Sequence, residues 1–287
     1  MKKYFLFLLL FFSFSLFSAQ RQVFLEIIGS EDWPYCRCAW HTLEYVQADY
    51  PPPQLNSIIW CGDFTKDLYK ERFKYYKMQG EPYAFIDGII QKIGAYGSGS
   101  KCDTTCQYLY YSGEDSSECK LKNNKGFLDR MSIPSPLEIQ VSATFDKNTM
   151  EGVLSAHIKV ETDITLKYNK IWFVVYERNV QDKFGSDNII FPQLARGRIL
   201  YSDFNLKTAG EEGDFSAPFL IESSWVLENI GFLVFVQSDE TKEILQSAFL
   251  GSVPLEEEKH HRRPFWNLQK WRSYGNSSNS IKDFRKF

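Results

Sequence analysis

Three signatures that would name an activity are missing from this chain. No serine sits in a Gly-x-Ser-x-Gly elbow, no glycine-rich loop is placed to cradle phosphate, and no His-Glu-x-x-His pair occurs. Hydrolase and nucleotide-binding readings therefore have no support. A one-sided charge is missing too: the formal net charge is -3, which gives no electrostatic footprint for nucleic acid. The four histidines are scattered, with His41 after a Cys-Arg-Cys string, His157 on the outward phase of a strand, and His260 and His261 in a C-terminal tail. No cofactor and no metal site is expected from that distribution. No cysteine precedes Cys36, which argues against acylation of a cysteine just after an export signal. Beyond the first residues, no apolar run approaches the ~20 residues of a membrane-spanning helix.

What is present begins with an export signal over residues 1–19. Lys2 and Lys3 precede an apolar core from Tyr4 to Phe17, followed by the small residues Ser18 and Ala19. The mature protein is expected to be soluble in an oxidising compartment or associated with a membrane surface. There, six cysteines suggest disulfides whose pairing composition does not fix. With 44% hydrophobic and 16% aromatic residues, the chain can bury sizeable cores, and its length suits two domains.

Element types alternate in the first half. Val23 to Ile28 reads as a strand, and Ala39, Leu43, Val46 and Tyr50 recur at helical spacing until Pro51-Pro52-Pro53 stops the helix. Ser57 to Trp60 reads as a second strand ending at Cys61, and Tyr69, Phe73 and Tyr76 form a stripe on a helix from about Phe64 to Met78. After Pro82, two short strands flank Asp87-Gly88, a strong local hairpin signal. A closing helix is expected next, broken by a cysteine-containing insertion near 97–120 and resuming near Leu121.

The grammar changes after Ile133-Pro134-Ser135-Pro136, which reads as a linker. Leu137, Ile139, Val141, Ala143 and Phe145 alternate, as do Leu154, Ala156, Ile158 and Val160. Further strands are expected at Ile171 to Tyr176, Arg198 to Tyr201, Pro218 to Ile221, Gly231 to Gln237 and Ile244 to Leu250. Seven short strands with polar turns predict an immunoglobulin-like sandwich over 137–253. Residues 254–287 form a tail in which Arg262, Arg263, Lys270 and Arg272 interleave with Phe265, Trp266, Trp271 and Tyr274. It could dock on an anionic membrane surface or pack its aromatics back on a domain.

The order strand, helix, strand, helix, proline, hairpin resembles a thioredoxin-like domain, here spanning 20–132. Trp33-Pro34-Tyr35-Cys36-Arg37-Cys38 stands between the first strand and the first helix, where that fold carries a Cys-x-x-Cys redox site. Such a site needs its first sulfur at the helix N-terminus, where the dipole lowers the thiol pKa. Trp33 occupies that register, and an indole forms no thiolate. In this fold the proline before the third strand is usually cis and faces the site, a role that Pro82 fits.

Three readings of Cys36 and Cys38 stand: a redox pair, a structural disulfide from one of them to Cys61, or unpaired residues of a relic site. Cys102 and Cys106 sit four apart and, with Cys119, read as a disulfide staple for the insertion rather than a metal site, since no histidine lies nearby.

Several strings together resemble the twenty-eight-kilodalton outer membrane protein family, which joins a thioredoxin-like domain to an immunoglobulin-like sandwich. They are Val23-Phe24-Leu25-Glu26, Pro34-Tyr35-Cys36, Arg72-Phe73, Glu81 through Gly88, Phe173 through Glu177, Asn188 to Arg196, and Gly231 to Gln246. The resemblance implies surface or periplasmic localisation and dimerisation. The expected function is a non-catalytic binding or assembly module for a protein or peptide in the cell envelope, with Trp33, Tyr35, Glu81 and Pro82 lining a groove. The alternatives are a thiol-disulfide oxidoreductase or isomerase using Cys36 and Cys38, and a surface adhesin using the sandwich loops.

Overall fold

Two parallel strands, β1 (Val23–Gly29) and β2 (Leu55–Cys61), are buried along their whole length. Runs such as Val-Phe-Leu-Glu-Ile-Ile suit strands covered on both faces. The computed structural model describes residues 19–94, 97–98, 101–102, 125–184 and 187–251. The expected export signal and the tail lie outside the described residues, as does most of the insertion.

Between the parallel strands runs α1 (Pro34–Asp49), which opens with proline in its first turn and ends before Pro51-Pro52-Pro53. Next comes α2 (Lys66–Tyr75), with Asp67 in its first turn and Arg72 and Lys74 in its last, matching the helix dipole at both ends. The hairpin β3 (Tyr83–Ile86) and β4 (Ile90–Ile93) follows, with β3 antiparallel to β1. Its turn places Asp87 at φ 48° and Gly88 at φ 74°, and the Glu81–Pro82 peptide bond is cis. The short pair β5 (Gly97–Ser98) and β6 (Lys101–Cys102) precedes α3 (Lys125–Ser132).

The remaining strands are β7 (Leu137–Asp146), β8 (Glu151–Val160), β9 (Asn169–Phe184), β10 (Asp187–Asp203), β11 (Glu212–Leu220), β12 (Ile230–Ser238) and β13 (Ile244–Leu250). The chain is thus mostly β. Strands β11-β8-β7 form a three-stranded sheet that packs on the larger one as a sandwich. Its core joins Leu154, Ile158 and Phe219 to Phe173, Phe232 and Val234.

The linker at 133–136 does not separate two sheets. One eight-stranded sheet, in the order β13-β12-β9-β10-β2-β1-β3-β4, runs through both segments. The joint is the β9–β10 hairpin, which is far longer than the strands expected at 171–176 and 198–201. Its polar stretch from Glu177 to Asp182 reads as a loop in sequence. In the structure it stays extended because it pairs along its length with β10, and Val180, Ile189, Phe191 and Leu194 of the hairpin pack into the core beneath α1, where Trp40 meets Phe191 at 4.6 Å between ring centroids. Leu194 pairs with Ile59 of β2, and Gln193 accepts hydrogen bonds from Ser57 and Gln47.

Two buried polar knots fasten the same joint. Glu26 of β1 pairs with Arg72 of α2 at 2.5 Å, and Trp60 Nε1 and the Tyr76 hydroxyl also donate to Glu26. Arg72 donates in turn to Gln237 of β12 at 2.9 Å and lies over the rings of Tyr75, Tyr76 and Trp172. Burial works against the Arg72 charge, but Glu26 and then Tyr76 outweigh it and hold the guanidinium above its ordinary value. In the second knot, Asp87 accepts from Arg21, from Arg130 of α3 and from the Phe24 amide, while Arg130 reaches on to Glu243.

Candidate functional site

The end of β1, the start of α1 and the start of β3 converge on Gly29. A β-carbon there would lie 2.6 Å from Cys36 Sγ and 3.7 Å from Pro82 Cβ, so glycine is what lets the helix and the cis-proline close on the strand. Gly29 is followed by Ser30, whose hydroxyl donates to Glu81 Oε2 at 2.7 Å. The Tyr69 hydroxyl of α2 donates to the other oxygen of Glu81, and Cys36 Sγ lies 3.9 Å from Oε2. Burial, offset in part by the Ser30 hydrogen bonds, leaves the Glu81 carboxyl above its ordinary range.

Trp33 is the N-cap of α1, with an extended backbone and no side-chain cap bond. It is 53% exposed, and Tyr35 is 43% exposed. The Cys36 amide donates to the Trp33 carbonyl at 2.9 Å, closing the first turn. This turn sends the Cys36 side chain inward, where it is fully buried. Burial first, and then the neighbouring Glu81 carboxylate, push the Cys36 thiol far above its ordinary pKa.

Neither expected pairing of Cys36 is formed. Cys36 and Cys61 are both free and buried, so there is no Cys36–Cys38 bond and no bridge to Cys61. Residues two apart on a helix do not face each other, and each of these side chains enters the core separately. Cys61 lies beside Asp63, with Sγ 3.5 Å from Oδ2, and its thiol too is raised, chiefly by burial. Cys38 is disulfide-bonded. Cys102 is placed as a backbone position in β6, whereas Cys106 and Cys119 lie outside the described residues.

The groove residues therefore divide. Trp33 and Tyr35 stand exposed, Glu81 is half-buried, and Pro82 is buried under the Gly29–Cys36 contact rather than open to solvent. Around the start of α1 the sequence reading missed Glu31, Asp63 and Asp182. The Glu31 amide donates to Asp63 Oδ2 at 2.7 Å. Burial, followed by Asp182, Asp63 and Asp32, pushes the Glu31 carboxyl up to about 7. A Gly-Ser pair closing an apolar strand is a readable sign of close backbone approach; Asp182, 151 positions from Glu31, is not readable at all.

A solved structure shares this architecture. HBP35 of Porphyromonas gingivalis superposes with a TM-score of 0.61 at 14% identity, covering 86% of this chain and 81% of that one. A domain of the outer membrane lipoprotein Omp28, also from Porphyromonas gingivalis, gives a TM-score of 0.31 at 17% identity, over 42% of this chain and 97% of that domain. No family model matches the chain, and no curated protein matches it in sequence. The likeness to HBP35 is one of fold and spans both segments. Among the described residues, no group of three or more acidic, histidine or cysteine side chains is arranged to hold a metal ion, and no helix is long and apolar enough to cross a membrane.

Proposed function

We propose that this chain is an exported cell-envelope protein whose thioredoxin-like end is a non-catalytic docking module for a protein or peptide partner. The observation that carries this reading is the pairing of an exposed Trp33 at the N-cap of α1 with a fully buried Cys36 in the turn behind it. Dithiol exchange needs an accessible thiolate at that helix end. Here the accessible position holds an indole, and the sulfur behind it is kept as a thiol.

The order β1-α1-β2-α2-β3-β4, closed by α3 after the short β5–β6 pair, the parallel β1–β2 pair, the antiparallel β3–β4 hairpin and the cis bond before Pro82 support the thioredoxin-like reading. Export is supported by Lys2, Lys3 and the apolar residues that follow, and an envelope location by the resemblance to the twenty-eight-kilodalton outer membrane protein family.

Two measurements on the mature protein test this. In an insulin-reduction assay with dithiothreitol, no turnover above the uncatalysed rate is expected; turnover abolished by Cys36→Ser or Cys38→Ser overturns the reading. In maleimide labelling mapped by mass spectrometry, Cys36 and Cys61 are expected to react only after denaturation. Trypsin cleaves after Arg37, so Cys36 and Cys38 are scored on separate peptides.

A further inference from the structure

We infer that the open edge of β7 takes an extended segment of another polypeptide as an added strand, one in which apolar residues alternate with lysine or arginine. This site is on the sandwich and is independent of Trp33 and α1. β7 is a terminal strand of the three-stranded sheet, and its register with β8 runs unbroken from Leu137–Val160 to Asp146–Glu151. The bonds around β8 fix which way each backbone group faces. Val160 N donates to the Glu211 carbonyl and Val160 O accepts from Gly210 N, whereas Glu161 N donates to the Pro136 carbonyl. Even-numbered residues of β8 therefore face β11, and odd-numbered ones face β7. It follows from the register that Glu138, Gln140, Ser142 and Thr144 bond to β8, while the N–H and C=O groups of Ile139, Val141, Ala143 and Phe145 point to the open side. At the start of that side the Leu137 carbonyl is taken by Gln246 Nε2 at 3.1 Å. Beyond it, the backbone of those four residues meets no hydrogen-bond partner among the described residues.

The side chains agree with the backbone. Val141, Ala143 and Phe145 turn into the sandwich yet are only half-buried, whereas Leu154, Ala156 and Ile158 on the neighbouring β8 are buried. An added strand supplies the missing ladder and covers those side chains together. The far edge of the same sheet is guarded: on β11, Pro218 stands at an outward-facing position, where it has no N–H to offer. β7 carries no proline, no lysine or arginine and no bulge. Charge then sets the occupant. The outer face of the sheet carries Glu138, Asp146, Glu151, Glu212 and Asp214 against Lys159 and His157, so an incoming strand gains by presenting cations there. A second copy of β7 paired antiparallel over its full length would set Glu138 opposite Asp146 at both ends, and like charges directly opposite are destabilising.

The test uses the full mature chain and three labelled peptides of about seven residues. In one, lysine alternates with valine; in the second, glutamate alternates with valine; the third is the lysine peptide methylated at every backbone nitrogen. Amide exchange read residue by residue by NMR is expected, in the protein alone, to be fast at Ile139, Val141, Ala143 and Phe145 and slow at Gln140, Ser142 and Thr144. Slow exchange at all seven would mean that this chain or a second copy already covers the edge, and overturns the proposal. The lysine peptide is expected to slow exchange at Val141 and Ala143 at least about tenfold, and fluorescence anisotropy to show it binding at least about tenfold tighter than the glutamate peptide. Absence of that protection, or equal protection by the methylated peptide, overturns strand addition, and equal affinity for the lysine and glutamate peptides overturns the cationic preference. Ala143→Pro removes one outward N–H and leaves the bonds to β8 in place, so it is expected to melt with the parent and lose the peptide. Glu138→Gln/Asp146→Asn, which changes only outward side chains, is expected to keep strand addition and lose the preference for lysine over glutamate. Undiminished binding by a folded Ala143→Pro, or an undiminished lysine preference in the double variant, places the peptide elsewhere and overturns the site.

Discussion

Gly29 and Cys36 are packed so closely that a β-carbon on the glycine would lie 2.6 Å from the Cys36 sulfur and 3.2 Å from its β-carbon. The contact sets the approach of α1 to β1, and with it the outward placement of Trp33. Gly29→Ala is expected to overpack this point and cost roughly 1–3 kcal/mol in urea unfolding. Cys36→Ala removes the nearer atom and leaves the farther one, so the double variant is expected to lose clearly less than the sum of the two singles. Strict additivity would show that the sulfur does not limit that approach.

Much of the first segment was legible because its signals are local. Proline after Tyr50 stops a helix, Asp87-Gly88 supplies a turn needing left-handed backbone twice, and a proline precedes a short apolar strand. The joint between the segments was not legible, because it is made of polar residues that look like surface. Glu26 interrupts an apolar run, Arg72 sits among charges on a helix, and Glu177 to Asp182 lack apolar periodicity. Only the fold shows that the first two neutralise each other in the core and that the third continues a strand. The strings behind the family resemblance converge on this joint. Glu26 meets Arg72, which donates on to Gln237; Asp87 meets the arginines beside Glu243; and Ile244 N donates to the Asp87 carbonyl. Those strings report how two segments are fused more than what the first turn of α1 does.

The Glu26–Arg72 pair gives the second prediction. Removing one partner leaves the other charge buried and uncompensated, so Arg72→Met is expected to cost about 3–5 kcal/mol in urea unfolding. It also strands the acceptor on Gln237 and the carboxylate that Trp60 and Tyr76 address. Combined Glu26→Leu and Arg72→Met is expected to cost less than Arg72→Met alone, since replacing both members of a buried pair avoids the lone charge. A larger loss in the double variant would locate the stabilisation outside this pair.

Gly88 supplies the third. Its φ of 74° already disfavours side chains, and a β-carbon would fall 2.0 Å from the Lys242 carbonyl oxygen of the β12–β13 turn. Gly88→Ala must therefore push apart the two hairpins that Asp87 and Ile244 hold together. The expected loss is at least about 1–3 kcal/mol, the cost of left-handed backbone alone. Hydrogen exchange is expected to rise at the Ile244 amide and at the Phe24 amide, which Asp87 also accepts. Exchange unchanged at both amides, with stability lost, would mean that the strain is absorbed elsewhere.

Glu31 gives the last, through pH. Burial, and then Asp182, Asp63 and Asp32 against the weaker opposing influence of Arg37, raise its carboxyl from an ordinary 4.5 to about 7. Between those values the folded protein holds a proton that the unfolded chain has released, so this group stabilises the fold at low pH and its contribution is lost as pH rises through about 7. Glu31→Gln fixes the neutral state. The melting temperature of the variant is expected to match the parent near pH 4 and exceed it at pH 8, with the gain reduced by salt because the group is partly exposed. A variant whose stability shows the parent's full pH slope would place the titrating group elsewhere.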